Sequence, residues 1–164
     1  MNLESTLRVG TKITYFFAES NKAFRFQEVC LIYEDPVNKG YYIALSQPTS
    51  KAGWGQSQEE AYINLVISVV CAIRHGLKED RAPQFVESND PVWSNLPYIH
   101  RMAADKQIKL LKKASQMLPK CTYEDIGSEK GKSTLVERQE QGTTILGISS
   151  ASVIGCEDTA YSGI

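Results

Sequence analysis

The stretch "IGSEKGKST", residues 126–134, ends on Gly-Lys-Ser and raises the question of phosphate binding. A phosphate-cradling loop spaces its two glycines by four residues, so that successive amide N–H groups wrap the phosphate and the lysine reaches it. Here three residues separate Gly127 from Gly131, and no clear hydrophobic strand precedes them. That spacing suits a solvated basic turn, in which Lys132 is the phosphate candidate. The two histidines are His75 and His100; His100 has no Cys or second His near it, the histidines do not cluster, and neither G-x-S-x-G nor H-E-x-x-H occurs. His75 falls where a helix should end, and there an imidazolium meets the negative end of the helix dipole. The four cysteines, at 30, 71, 121 and 156, contain no C-x-x-C, which argues against a zinc site. Cys30 and Cys71 lie in apolar segments, where a thiol behaves as a small hydrophobe. We therefore expect no catalytic residues, no metal, no cofactor, and reduced thiols in a cytoplasmic protein.

Composition points the same way. With 164 residues, 42% hydrophobic, 23% charged and a net charge of −1, the chain can form one domain with a substantial core. Charge is even along it: 9 Lys/Arg against 11 Asp/Glu up to residue 90, and 9 against 8 beyond. A dedicated nucleic-acid binder usually carries a basic excess. The first residues lack the apolar core of a signal peptide. The apolar run 63–73 is too short to span a bilayer, so no membrane association is expected.

The elements that would hold a site follow from periodicity. Residues 11–18, "TKITYFFA", are β-branched and aromatic and predict a strand. "AFRFQEVCLIYE" predicts a second strand, with a change of phase near Glu28 that suggests a bulge. "DPVNKG" is a turn signal, and "YYIALSQ" a third strand. The three form an antiparallel meander. "AGWGQSQEEAYINLVISVVCAIRHGL" then runs from a glycine-bounded segment into a helix over 58–75, capped by Ser57 with Glu60 three residues on and stopped at Gly76. Its apolar surface is wider than the usual stripe: Ile63, Val66, Ile67 and Val70 add a second side to Ala61, Leu65, Val69 and Ile73. Residues 78–98 read as loop, with a short strand at 84–87. A second, basic helix covers 102–118, "TTILGIS" predicts a last strand, and the tail 150–164, "SASVIGCEDTAYSGI", reads as small and polar.

Binding candidates are therefore of two kinds. Trp54 and Gln56, in a loop over 48–56, would form an outer contact surface, and Ile63, Ile67 and Val70 would form either a seam with a second chain or a face covered by the second helix. Alternatively, Lys106, Lys109, Lys112 and Lys113 on the basic helix, with Lys132, would meet nucleic acid or phosphate.

The run Gly55, Ser57, Glu59, Glu60, Ala61, Asn64, Leu65, set after a strand–turn–strand–short-strand order, resembles the HicB-like antitoxin family, over residues of about 24–88. "HGLKEDRAPQF" resembles that family's post-helix segment. The resemblance implies an α+β fold, a truncated ribonuclease-H-like unit without the enzyme's acidic metal site. It also implies inhibition by binding, with a toxin nuclease as partner. A host-defence component is the other protein partner we weigh. The usual Pro-Asp-Leu-Pro-Gly segment is replaced by "SQPTSKAG", and the chain beyond residue 90 carries no helix-turn-helix or ribbon-helix-helix pattern. The expected organisation is a HicB-like module at 1–90 with an extra N-terminal strand. A C-terminal extension follows at 91–164, packed on the same core. The expected function is non-catalytic sequestration of a protein, with homo-oligomerisation compatible and nucleic-acid binding as the alternative.

Overall fold

The computed structural model describes residues 5–17, 21–47, 49–81, 91–118, 121–125, 136–140, 143–147 and 151–156. The expected strand at 84–87, the turn at 127–134 with Lys132, and the part of the expected tail beyond 156 lie outside them; residues 151–156, also expected as tail, form a strand instead. Strands β1 (Leu7–Phe17) and β2 (Lys22–Glu34) pair antiparallel without interruption, from Leu7↔Ile32 to Phe17↔Lys22. β3 (Tyr42–Gln47) adds to β2, and β4 (Ala52–Gly55) adds to β3, both antiparallel. The turn between β2 and β3 is built by Asp35. Its carboxylate accepts from the Val37 N–H at 2.9 Å and from Asn38 Nδ2 at 3.2 Å, and these bonds hold it below the usual carboxylate range. Gly40, at φ 87°, closes the turn in the left-handed region that glycine tolerates.

Helix α1 (Gln58–Lys78) follows, then a 3₁₀ segment (Pro91–Tyr98), β5 (His100–Arg101) and helix α2 (Ala104–Met117). The remaining strands are β6 (Cys121–Asp125), β7 (Val136–Glu140), β8 (Thr143–Gly147) and β9 (Ala151–Cys156). β7 and β8 form their own antiparallel pair. The others make one seven-stranded sheet, ordered β4-β3-β2-β1-β9-β6, with β5 also on β1. Both β5 and β9 run parallel to β1. The protein is thus α+β, but the expected antiparallel sheet is corrected to a mixed one. β1, expected as an added N-terminal strand, is the strand on which both halves of the chain meet. Parallel pairing needs a long crossover, and no local pattern announces where such a crossover lands.

The expected bulge near Glu28 is absent, since the register passes Glu28↔Thr11 unbroken. The change of phase has another cause: β2 is covered on both faces. Phe24, Glu28, Cys30 and Ile32 face the helices, while Val29, Leu31 and Tyr33 face the 3₁₀ segment, where Leu31 meets Trp93 and Ile99. Trp93, expected in a loop, closes this second, smaller core.

α1 begins as its sequence requires. Ser57 Oγ accepts from the Glu60 N–H at 3.1 Å, and Glu60 Oε2 returns a bond to the N–H of Gln56 at 2.8 Å, one residue earlier than in the usual capping box. Ser57→Ala should cost about 1 kcal/mol, read as a fall in melting temperature of about 2–4 °C. A melting temperature unchanged within error would show that the cap does not anchor the helix. The helix does not stop at Gly76, as expected. It runs to Lys78, and the chain reverses at Asp80, with φ 55° and Arg81 N–H bonded to the Gly76 carbonyl at 2.7 Å. Half-buried Leu77 packs against the core and accounts for the added residues.

The breadth of α1's apolar surface is now explained. One side meets Val9, Tyr15, Phe17, Cys30, Ile32 and Ala44 of the sheet, and α2 brings Leu110, Leu111, Ala114 and Leu118 to the same core. α1 is also long and apolar enough, by length and composition alone, to cross a membrane, but its apolar residues are used as those of a core helix are.

Candidate interaction surface

Trp54, expected in a loop, lies instead on strand β4, because residues 52–55 pair with β3; β4 is an edge strand, and α1 lies hard against it. An added Cβ at Gly53 would stand 2.2 Å from the Leu65 amide nitrogen and 2.3 Å from the Ala61 carbonyl oxygen. At Gly55 it would stand 2.6 Å from the Ala61 nitrogen. Only glycine permits this approach. The outward carbonyls of the strand are then taken by helix side chains: Asn64 Nδ2 donates to Trp54 O at 2.6 Å, and Ser68 Oγ to Ala52 O at 3.5 Å. An edge strand that would otherwise invite further strands is occupied by its own helix.

Strand alternation decides where Trp54 goes. With Gly53 and Gly55 under the helix, Trp54 must point to the opposite face. There it is 57% exposed, across from half-buried Ile43. Gln56 is exposed, and its Nε2 donates to the Tyr41 hydroxyl at 3.4 Å; Tyr41 is itself exposed. An indole, a phenol and an amide therefore stand together on a strand held from behind by backbone contact. Such a surface can bury an aromatic ring against a partner and offer hydrogen bonds at its margin.

Of the expected site residues, Trp54 and Gln56 come together here, and Tyr41 joins them. Tyr41 was missed because its relation to Gln56 arises from register, not from sequence distance. Of the two alternatives for Ile63 and Val70, the covered face is the one observed: at 5% and 0% exposure they belong to the core that α2 helps to close, and only the seam reading is corrected. Ile67 is half-buried against that core. On α2, Lys109, Lys112 and Lys113 lie on the solvent side, whereas Lys106 is paired with Glu59 of α1. That pair is the first cause of the lowered Glu59 pKa. The lysines lie on the helix side of the sheet and Trp54 on the other, so they do not make one surface. His75 meets Glu79 at 3.2 Å one turn on, as expected of a residue at a helix end, and His100 is exposed on β5.

Two groups depart from expectation. The first is Glu28, only 2% exposed, whose Oε2 accepts from the Tyr15 hydroxyl at 3.4 Å. Burial pushes its pKa up to about 7, against the opposing pull of hydrogen bonds with Ser46 and Tyr15. Burial, followed by the Glu28 charge, also raises the Tyr15 phenol. The cluster is sealed from solvent, so it bears on stability and offers no base to an external substrate. The second is Cys121. The expectation of thiols throughout is corrected there, because Cys121 is disulfide-bonded, whereas Cys30 and Cys71 are free.

No protein-family model matches the chain, and no curated protein or solved structure is significantly similar to it.

Proposed function

We propose that the protein is a non-catalytic binding protein that sequesters a protein partner through the surface centred on Trp54. The observation that carries this reading is the exposure of Trp54 on a strand that cannot yield, because Gly53 and Gly55 touch the α1 backbone. Exposed tryptophans on rigid supports make strong anchors: little order is lost on binding, and a large ring leaves water. The capped Glu-Glu-Ala helix opening and the preceding meander add the HicB-like resemblance, which favours a cytoplasmic antitoxin or defence inhibitor. The partner proposed is a toxin nuclease, and a host-defence component is its nearest rival. Ile63 and Val70 play no part, and any homo-oligomer would use the Trp54 face.

A second reading is favoured by one observation, the exposed row Lys109, Lys112 and Lys113, which could meet a phosphate backbone. It predicts affinity that falls steeply with salt.

The two are separated by capture of the tagged full chain from its host, with mass spectrometry and light scattering on the eluate. A stoichiometric protein, lost in Trp54→Ala by a factor of at least about thirty and kept in Lys109→Glu/Lys112→Glu, supports sequestration. Trp54→Ala should fold normally, since a surface change away from special features costs little. Undiminished binding by Trp54→Ala would sink the proposed surface. A co-purifying nucleic acid that is lost in the lysine variant would transfer the assignment to α2.

A further inference from the structure

The face of the sheet turned away from the helices holds a group of hydrogen-bond donors around Leu31. β1 and β5 run parallel, with Leu7 beside His100 and Arg8 beside Arg101, and the Met102 N–H donates to the Arg8 carbonyl at 2.9 Å. Side chains of register partners stand on the same face. Arg8 is also the register partner of Leu31 on β2, so both arginines lie on the Leu31 face and His100 on the other. Arg8 is half-buried, and its Nε is buried with no hydrogen-bond partner. Trp93, 9% exposed, packs with Leu31 from the 3₁₀ segment, and its Nε1 is buried without a partner too. Arg101 is exposed and lies over Gly10, whose carbonyl its Nη2 meets at 3.4 Å and which adds no side chain to fill the space. Ion pairs among the described residues use Lys22, His75, Arg81 and Lys106, and neither of these arginines. Two cations side by side on neighbouring strands repel each other, and a buried donor without an acceptor is costly. Both conditions are relieved by one anion.

We propose that Arg8, Arg101 and the Trp93 indole form a binding site for a phosphate monoester group. A guanidinium offers parallel N–H bonds that match phosphate oxygens, and the indole adds a neutral donor. Charge selects among oxyanions. Two fixed cations balance a monoester, which carries about −1.5 to −2 at pH 7, whereas a carboxylate or the diester of a nucleic-acid backbone carries a single charge. The ligand is therefore free phosphate or a small phosphorylated molecule, and it enters past the exposed Arg101. The site is separate from the Trp54 surface. Trp54 stands on the same face, but β4 is three strand spacings from β1, about 14 Å.

The chain has two tryptophans, one in the site and one outside it, so the native protein carries its own control. Heteronuclear NMR of the full chain records both indole N–H signals, with Trp54→Phe assigning them, during titration at constant ionic strength with methyl phosphate, inorganic phosphate, dimethyl phosphate or acetate. The Trp93 signal should move saturably with the first two, and the Trp54 signal should stay in place. Tighter binding of methyl phosphate marks a phosphorylated molecule as the ligand, and tighter binding of inorganic phosphate marks the free ion. Dimethyl phosphate and acetate should bind at least about tenfold more weakly. Affinity should also fall at least about tenfold in Arg8→Gln and in Arg101→Gln.

Urea unfolding separates binding from a structural role. Phosphate should raise the native midpoint and leave that of Arg8→Gln unmoved, and without phosphate Arg8→Gln should unfold no earlier than the native protein, because it removes one of two repelling charges. A Trp93 signal that does not move, or moves without saturating, would overturn the site. An equal response to dimethyl phosphate would overturn the monoester and point to a nucleic-acid backbone. Undiminished affinity in Arg101→Gln would overturn the arginine pair, and that exposed position keeps the test decisive if Arg8→Gln does not fold.

Discussion

Gly53→Ala should abolish stable folding or cost about 4 kcal/mol, at the extreme of what single substitutions do. The reason is the identity of the atoms in the way. The new methyl would lie 2.2 Å from the Leu65 nitrogen and 2.3 Å from the Ala61 oxygen, and both are backbone atoms inside α1. A clash with a flexible side chain can be relieved by a new rotamer, whereas relief here requires the helix to lift away from β4. Lifting α1 would break the Asn64–Trp54 and Ser68–Ala52 bonds and open the core beneath Leu65 and Ala61. Overpacking in cores ordinarily costs about 1–3 kcal/mol, and the added rupture takes this site beyond that range. Gly10→Ala is the control, since its Cβ would meet only the end of the Arg101 side chain at 3.7 Å. Urea unfolding of both variants measures the difference, and equal midpoints would mean that α1 does not lie on β4 at this distance. Loss of Trp54-dependent binding is expected to accompany loss of the contact, because the same glycines hold Trp54 outward.

The second large effect concerns pH. The Glu28 pKa is near 7 in the folded protein, raised by burial from an ordinary value of 4.5. The folded state therefore binds this proton more tightly than the unfolded chain does. Its contribution is fully present below pH 4.5 and is lost as pH rises through 7. The linked free energy is about 3 kcal/mol at most, from 1.36 kcal/mol per pKa unit. Against that background, stability should rise as pH falls from 8 towards 5. Glu28→Gln, which keeps the shape and removes the charge, should be more stable than the native protein at pH 8 by up to about 3 kcal/mol and should flatten the pH profile in that window. Denaturant midpoints at pH 5, 6, 7 and 8 provide the measurement. A native profile that slopes the other way between 5 and 8, or a Gln variant that is less stable at pH 8, would show that Glu28 is ionised and well satisfied in the core.

The local elements were legible because their signals are local. Ser57 and Glu60 mark the start of α1 within a single turn. Asp35 and Gly40 mark the β2–β3 turn, and alternation marks β3. The glycine-tryptophan-glycine order of residues 53–55 already implied that Trp54 points away from whatever the glycines approach, once those residues form a strand. Trp54 and Gln56 were therefore recoverable as surface residues. The basic outer face of α2 was recoverable for the same reason, since a helix separates its faces every 3.6 residues.

Tertiary structure decided the rest. Whether Ile63 and Val70 face a partner or a core depends on where α2 docks, and helix periodicity is the same in both cases. Glu28 looked like an interruption of a strand because a pattern of apolar residues cannot represent a buried carboxyl with both faces of its sheet covered. The parallel placement of β9 beside β1 joins residues far apart in the chain, and so does the placement of Arg101 beside Arg8. The sequence determined by itself the spans, caps and turns whose energies reside within a few residues. Register across the sheet, the burial of polar groups and the pairing of cysteines were settled only by the folded whole, because their free energies depend on neighbours that chain closure brings together.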